Sequence, residues 1–160
     1  MSQTTLKAGR KAPAFTLVSQ DGEKVALKDL LGQWLVLYFY PKDDTPGCTK
    51  EACEFTSLLG AFQKLDARVL GISPDPPEKH QKFIAKHGLG LDLLSDPEHK
   101  VLAKYGAWGE KNMYGKKYEG VLRSTVLIDP EGKIAHLWSN VKAAGHAEAV
   151  RQKLEELAPV

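Results

Sequence analysis

The sequence predicts an α/β domain: a mixed central β-sheet with helices on its faces and a hairpin at the N-terminal end. Three observations carry this. The run Trp34-Leu35-Val36-Leu37-Tyr38-Phe39-Tyr40 is unbroken and apolar, too short for a helix of such content, and reads as a strand buried on both faces. Strand-like and helix-like segments alternate after it. A length of 160 residues with 42% hydrophobic and 26% charged content fits one domain over 1–160 and excludes disorder, collagen and coiled coil.

Taken in order, Phe15 to Val18 and Lys24 to Leu27 flank Gln20-Asp21-Gly22-Glu23, a hairpin signal. Lys28 to Gly32 is a helical turn stopped by glycine. Pro41 ends the buried strand, and Pro41 to Gly47 is loop chemistry throughout. Thr45-Pro46 then offers an N-cap with proline in the first turn, and Glu51 and Glu54 suit the positive end of a helix dipole. Ala52, Phe55, Leu58, Leu59, Phe62 and Leu65 recur at spacings of three and four, so one helix is expected from about Cys48 to Leu65.

Arg68 to Ser73 is the next strand, Glu78 to His87 a helix closed by Gly88, Leu91 to Leu94 a short strand, and Pro97 to Tyr105 a short helix. Gly106 to Gly120 has no period and much glycine and lysine, and is expected to be a long surface loop. Ser124 to Asp129 and Lys133 to Trp138 flank Pro130-Glu131-Gly132 as a second hairpin, and an amphipathic helix runs from about Gly145 to Leu157. Tyr40 and Trp138 read as core or pocket wall.

With 22 basic against 20 acidic residues the formal charge is +2, and no dense block of one sign appears, so neither nucleic acid nor a membrane surface is an expected partner. The opening MSQTTLKAGRKAP lacks the apolar stretch of a secretory signal, and no run approaches the ~20 residues of a membrane span, so a soluble, cytoplasmic protein is expected. No Gly-x-Gly-x-x-Gly or phosphate loop is present, and no nucleotide or flavin cofactor is expected.

Two cysteines are too few for a disulfide framework in a chain of this size. In a reducing compartment such a pair is inert core, half of a metal site, or working thiols. Cys48 falls in the first turn of a helix that follows the carboxyl end of a buried strand. Sites in open α/β sheets gather there, and the free N–H groups and dipole of a helix start favour a thiolate. The spacing Cys48-x-x-x-x-Cys53 is wider than most zinc pairs, and His80, His87, His99, His136 and His146 lack ligand spacing, so no metal is expected.

Beyond a generic reactive cysteine, Pro41-Lys42-Asp43-Asp44-Thr45-Pro46-Gly47-Cys48 resembles the peroxiredoxin signature of proline, three variable residues, threonine, two more and cysteine. The run TPGCTKEACEF is similar to the peroxiredoxin Q, or bacterioferritin comigratory protein, branch. So are KNMYGKKYEGVLRSTVLIDPEGKI, Trp138 and Val141-Lys142 to Gly145-His146-Ala147, and the likeness extends from about Leu6 to Leu157.

The resemblance implies a thioredoxin-like fold and thiol-dependent reduction of hydrogen peroxide and organic hydroperoxides, in antioxidant defence. It implies Cys48 as peroxidatic nucleophile, with its sulfenic acid resolved by Cys53 in an intramolecular disulfide that thioredoxin or a similar dithiol protein re-reduces. Arg123 would hold the thiolate and the peroxide oxygens. Thr45 would bond the peroxide while capping the helix, Pro41 would shield the thiolate, and Gly47 would let the backbone N–H groups approach the substrate. A monomer is expected.

Two other readings compete. A disulfide oxidoreductase could use the same fold but normally carries Cys-x-x-Cys, and a binding or chaperone module would tolerate loss of both cysteines. On an intact helix, residues five apart have Cα atoms roughly 8.6 Å apart and side chains about 140° apart around the axis. A disulfide needs Cα atoms within about 7 Å, so a Cys48–Cys53 bond requires the helix to unwind around Cys48 to Phe55.

Overall fold

The computed structural model describes residues 6–158, so the ends of the expected 1–160 domain lie outside the described residues. The strands in chain order are β1 (Thr16–Ser19), β2 (Lys24–Ala26), β3 (Trp34–Phe39), β4 (Ala67–Ser73), β5 (Asp92–Ser95), β6 (Trp108–Met113), β7 (Lys116–Val121), β8 (Ser124–Ile128) and β9 (Ile134–Trp138). The helices are α1 (Pro46–Ser57), α2 (Leu59–Lys64), α3 (Pro77–His87), α4 (Lys100–Lys104) and α5 (His146–Leu157).

Seven strands form one mixed sheet in the order β2-β1-β5-β4-β3-β8-β9. The inner trio β5, β4 and β3 is parallel, while β8 and β9 on one side and β1 and β2 on the other are antiparallel. All six residues of β3 are buried, because helices or chain cover both faces of the sheet at that strand. Trp34, Val36 and Tyr38 point into a core with Phe55, Phe62, Phe83, Val150 and Leu154 from α1, α2, α3 and α5. Leu35, Leu37 and Phe39 point the other way, toward Phe15, Leu17, Val101, Leu102 and Val126. Each such side chain contributes about 1.5–3 kcal/mol by leaving water, so β3 is the element on which both layers depend.

Two expectations change. The single helix expected to Leu65 is broken at Leu58 (φ −101°, ψ 4°), whose N–H donates to the carbonyl of Phe55 only three residues back. The apolar spacing survives the break because Phe55 and Phe62 still meet, with ring centroids 6.0 Å apart.

The expected loop from Gly106 to Gly120 is instead a two-stranded antiparallel ribbon, β6 with β7. Tyr114 (φ 54°) and Gly115 (φ 79°) supply the paired left-handed residues of a tight hairpin turn. Most of β7 is exposed, so no alternation of apolar and polar residues marked it as a strand.

The close packing of β3 on β4 has a consequence for stability. A Cβ on Gly71 would sit 2.8 Å from Leu93 and 2.9 Å from Tyr38, both rigidly buried. Gly71→Ala is therefore expected to destabilise the fold by about 1–3 kcal/mol through overpacking, read as a lower urea midpoint.

Candidate active site

Chain pairing along β3 continues one residue past the strand, where the Tyr40 N–H donates to the Ile72 carbonyl at 3.1 Å. Pro41 has no N–H to continue the ladder, and the loop to Gly47 delivers the chain to α1. Pro46 takes the first helical position, and Thr45 is the N-cap residue with extended backbone. Its side chain does not cap the helix as expected: the Thr45 hydroxyl donates to the Lys42 carbonyl at 2.9 Å. Cys48 lies inside the first turn, only 1% exposed, where the N–H groups of a helix start have no intrahelical partner.

Arg123 comes from the short link between β7 and β8. The Leu122 N–H donates to Ala107 and the Val141 N–H to the Arg123 carbonyl, so backbone bonds on both sides fix the residue. Its guanidinium reaches back across α1. Nη2 donates to Cys48 Sγ at 3.3 Å, and Nη1 donates to Glu51 Oε1 at 2.6 Å. A Cβ on Gly47 would lie 3.2 Å from Nη2, so glycine there admits the guanidinium. Cys53, on the same helix, is exposed, and both cysteines are free thiols.

The sequence suits Glu51 to the positive end of the helix dipole, yet the first turn of α1 holds no acidic residue. Its side chain is fully buried, and Oε2 has no hydrogen-bond partner among the described residues. Burial pushes the carboxyl up to about 7, although the charge and hydrogen bond of Arg123 pull it down. A signal for this existed: Glu51 is three residues after Cys48, on the apolar stripe that continues through Ala52 and Phe55. Nearby His146, at the start of α5, is pushed down to about 4, mainly by burial and then by Arg123. Its Nε2 lies 2.7 Å from the Thr125 hydroxyl.

The loop before Cys48 carries two acids that sequence reading passed over. Asp43 is buried against His80 of α3, and Asp44 meets Lys86 and His87 at 2.8 Å each. Their partners lie on α3, far along the chain, and no local pattern marks them. Tyr40 is core, as expected, and Trp138 is half-buried, edge-on to His146 with ring centroids 5.7 Å apart.

The AhpC/TSA family pattern matches residues 8–137. Peroxiredoxin Bcp of Bacillus subtilis is 46% identical over 153 residues, covering 96% of this chain and 98% of that one. Peroxiredoxin Bcp of Escherichia coli is 46% identical over 151 residues, covering 94% and 97%. Among solved structures, the bacterioferritin comigratory protein of Xanthomonas campestris, described for alkyl peroxide reduction activity, is 41% identical. It superposes with a TM-score of 0.89 over 96% of this chain and 100% of that one. No helix among the described residues is long and apolar enough to cross a membrane.

Glu51 and His146 impose opposite pH dependences on stability. Glu51 is raised on folding, so its contribution is full below 4.5 and is lost as pH climbs toward about 7. His146 is lowered on folding, so its contribution is full above 6.5 and is lost as pH falls toward about 4. In the intact protein the two slopes offset each other between about pH 4.5 and 6.5. Glu51→Gln should make stability rise with pH across that window, and His146→Asn should make it fall, as read by urea unfolding at a series of pH values.

Proposed function

The chain belongs to the AhpC/TSA family and is a peroxiredoxin, a peroxidase that works through a thiol, and on that premise we propose that Cys48 is its peroxidatic nucleophile and Cys53 its resolving thiol. The contact that carries this reading is the 3.3 Å approach of Arg123 Nη2 to Cys48 Sγ inside the first turn of α1. A guanidinium and a helix start together favour a thiolate, the form that attacks.

A hydroperoxide is the substrate and a thiol reductant closes the cycle. The Cys48 thiolate attacks one peroxide oxygen, an S–O bond forms, the O–O bond breaks, and the other oxygen leaves as water or alcohol after taking a proton. Sulfur is oxidised to a sulfenic acid and the peroxide is reduced. Arg123 stabilises the oxygen on which charge develops. The Thr45 hydroxyl proton is engaged by Lys42, so Thr45 serves the peroxide through its remaining acceptor capacity. Pro41 shields the thiolate, and Gly47 keeps room for the guanidinium and the substrate.

Cys53 sulfur then attacks Cys48 sulfur, forming the disulfide and releasing water. On intact α1 one thiol is buried and the other faces solvent, so closure requires the helix to unwind around Cys48 to Phe55. Unwinding also offers the disulfide to the reductant, which we assign as thioredoxin or a similar dithiol protein, acting on a cytoplasmic monomer.

Three measurements test this reading. With hydrogen peroxide and a thioredoxin system, Cys48→Ser should abolish turnover; persistent turnover would place the chemistry elsewhere. Arg123→Lys keeps charge but loses the fork, and kcat/KM should fall about 10- to 100-fold, the kinetic equivalent of one charged hydrogen bond. Hydrogen exchange across residues 48–55 should speed up on oxidation. Equal protection in both redox forms, with the Cys48–Cys53 bond confirmed by peptide mapping, would contradict the unwinding step.

A further inference from the structure

Asp43 and His80 form a buried pair that none of the chemistry above uses. Both side chains are almost wholly withdrawn from water. Asp43 Oδ1 accepts the Tyr40 hydroxyl at 2.6 Å, and Oδ2 faces His80 Nδ1 at 2.6 Å. The Asp43 backbone N–H donates to Asp75 Oδ2 at 2.6 Å. His80 Nε2 lies 3.1 Å from the Leu94 carbonyl, which can only accept, so Nε2 carries a proton. The short Nδ1–Oδ2 contact completes the set, so every side-chain polar atom of the pair has a partner.

The network joins the end of β3, the turn after β4, helix α3 and strand β5 to a single residue of the loop that leads to Cys48. None of these hydrogen bonds reaches α1. A fully satisfied buried polar network is rigid, and removing one member leaves the others unpaired away from water. The neighbouring Asp44 contacts with Lys86 and His87 are exposed and add little hold.

We propose that Asp43 and His80 are positioning residues for peroxide reduction. Anchored to α3 and β5, they hold the Pro41–Gly47 loop in register with Arg123 while α1 is free to open and close. This rests on Cys48 being the peroxidatic residue. The clamp sits on the fixed side of the hinge, so each time α1 re-forms, Thr45 and the first turn return to the same place. Neither residue touches the substrate; they act through the loop.

The test compares two reactions of the same thiol. Iodoacetamide needs an accessible thiolate but no oriented peroxide oxygen, whereas hydrogen peroxide needs both. Asp43→Asn and His80→Gln should each slow oxidation of Cys48 by hydrogen peroxide at least about tenfold. Alkylation of Cys48, followed by mass spectrometry of its peptide, should change less than about twofold, since Arg123 is held by the Leu122–Ala107 and Val141–Arg123 backbone bonds and not by the clamp. The double variant should be no slower than the slower single variant, because either change breaks the same clamp.

Oxidation and alkylation falling in proportion would overturn the proposal, as would unchanged oxidation or rate losses that multiply in the double variant. If Asp43→Asn does not fold, His80→Gln, which keeps a donor for the Leu94 carbonyl, carries the same comparison. Failure of the Cys48 assignment has a different signature: peroxide turnover that survives in Cys48→Ser.

Discussion

One guanidinium is divided between two buried acidic groups, and the rest of the site is arranged around that division. Arg123 gives Nη2 to the Cys48 sulfur and Nη1 to the Glu51 carboxyl, and both partners lie on one helix, three residues apart. A thiol or a carboxyl that ionises here draws on the same positive charge. With the Glu51 carboxyl pushed up to about 7, its negative charge is partial near neutrality, and more of the guanidinium field is left for sulfur. The buried Oε2, without a partner among the described residues, marks the cost of this arrangement.

Each part of the fold can be read as support for that contact. The sheet fixes the loop before Cys48 through Tyr40, and the ribbon and the β9–α5 connection fix Arg123 from the other side. The break at Leu58 separates α1 from α2, so the segment bearing both cysteines is one short helix. Phe55 of α1 and Phe62 of α2 still meet across the break, so the two short helices share one core contact.

What could be read in the sequence followed from how locally each feature is encoded. β3 was legible because burial on both faces leaves an unbroken apolar run, and Cys48 because strand end, proline loop and helix start are adjacent in the chain. The helix break was not, since Leu58 keeps the apolar spacing intact while its backbone leaves the helix. The ribbon was not, because strands exposed on most sides have no pattern to betray them. Glu51 was misread because a carboxylate early in a helix already has an ordinary explanation in the dipole. Asp43 and His80 lie 37 residues apart, and a single sequence offers nothing to pair them.

The outward face of α1 has an evolutionary consequence. Cys53 is exposed on that face, so a thiol at that position can be gained or lost by single mutations with little penalty in folding. Cys48 has no such freedom: its sulfur fills a closed space beside a charged group, and a larger side chain would displace the guanidinium. Selection can thus relocate the second thiol among solvent-facing positions while the first remains pinned to one turn of one helix.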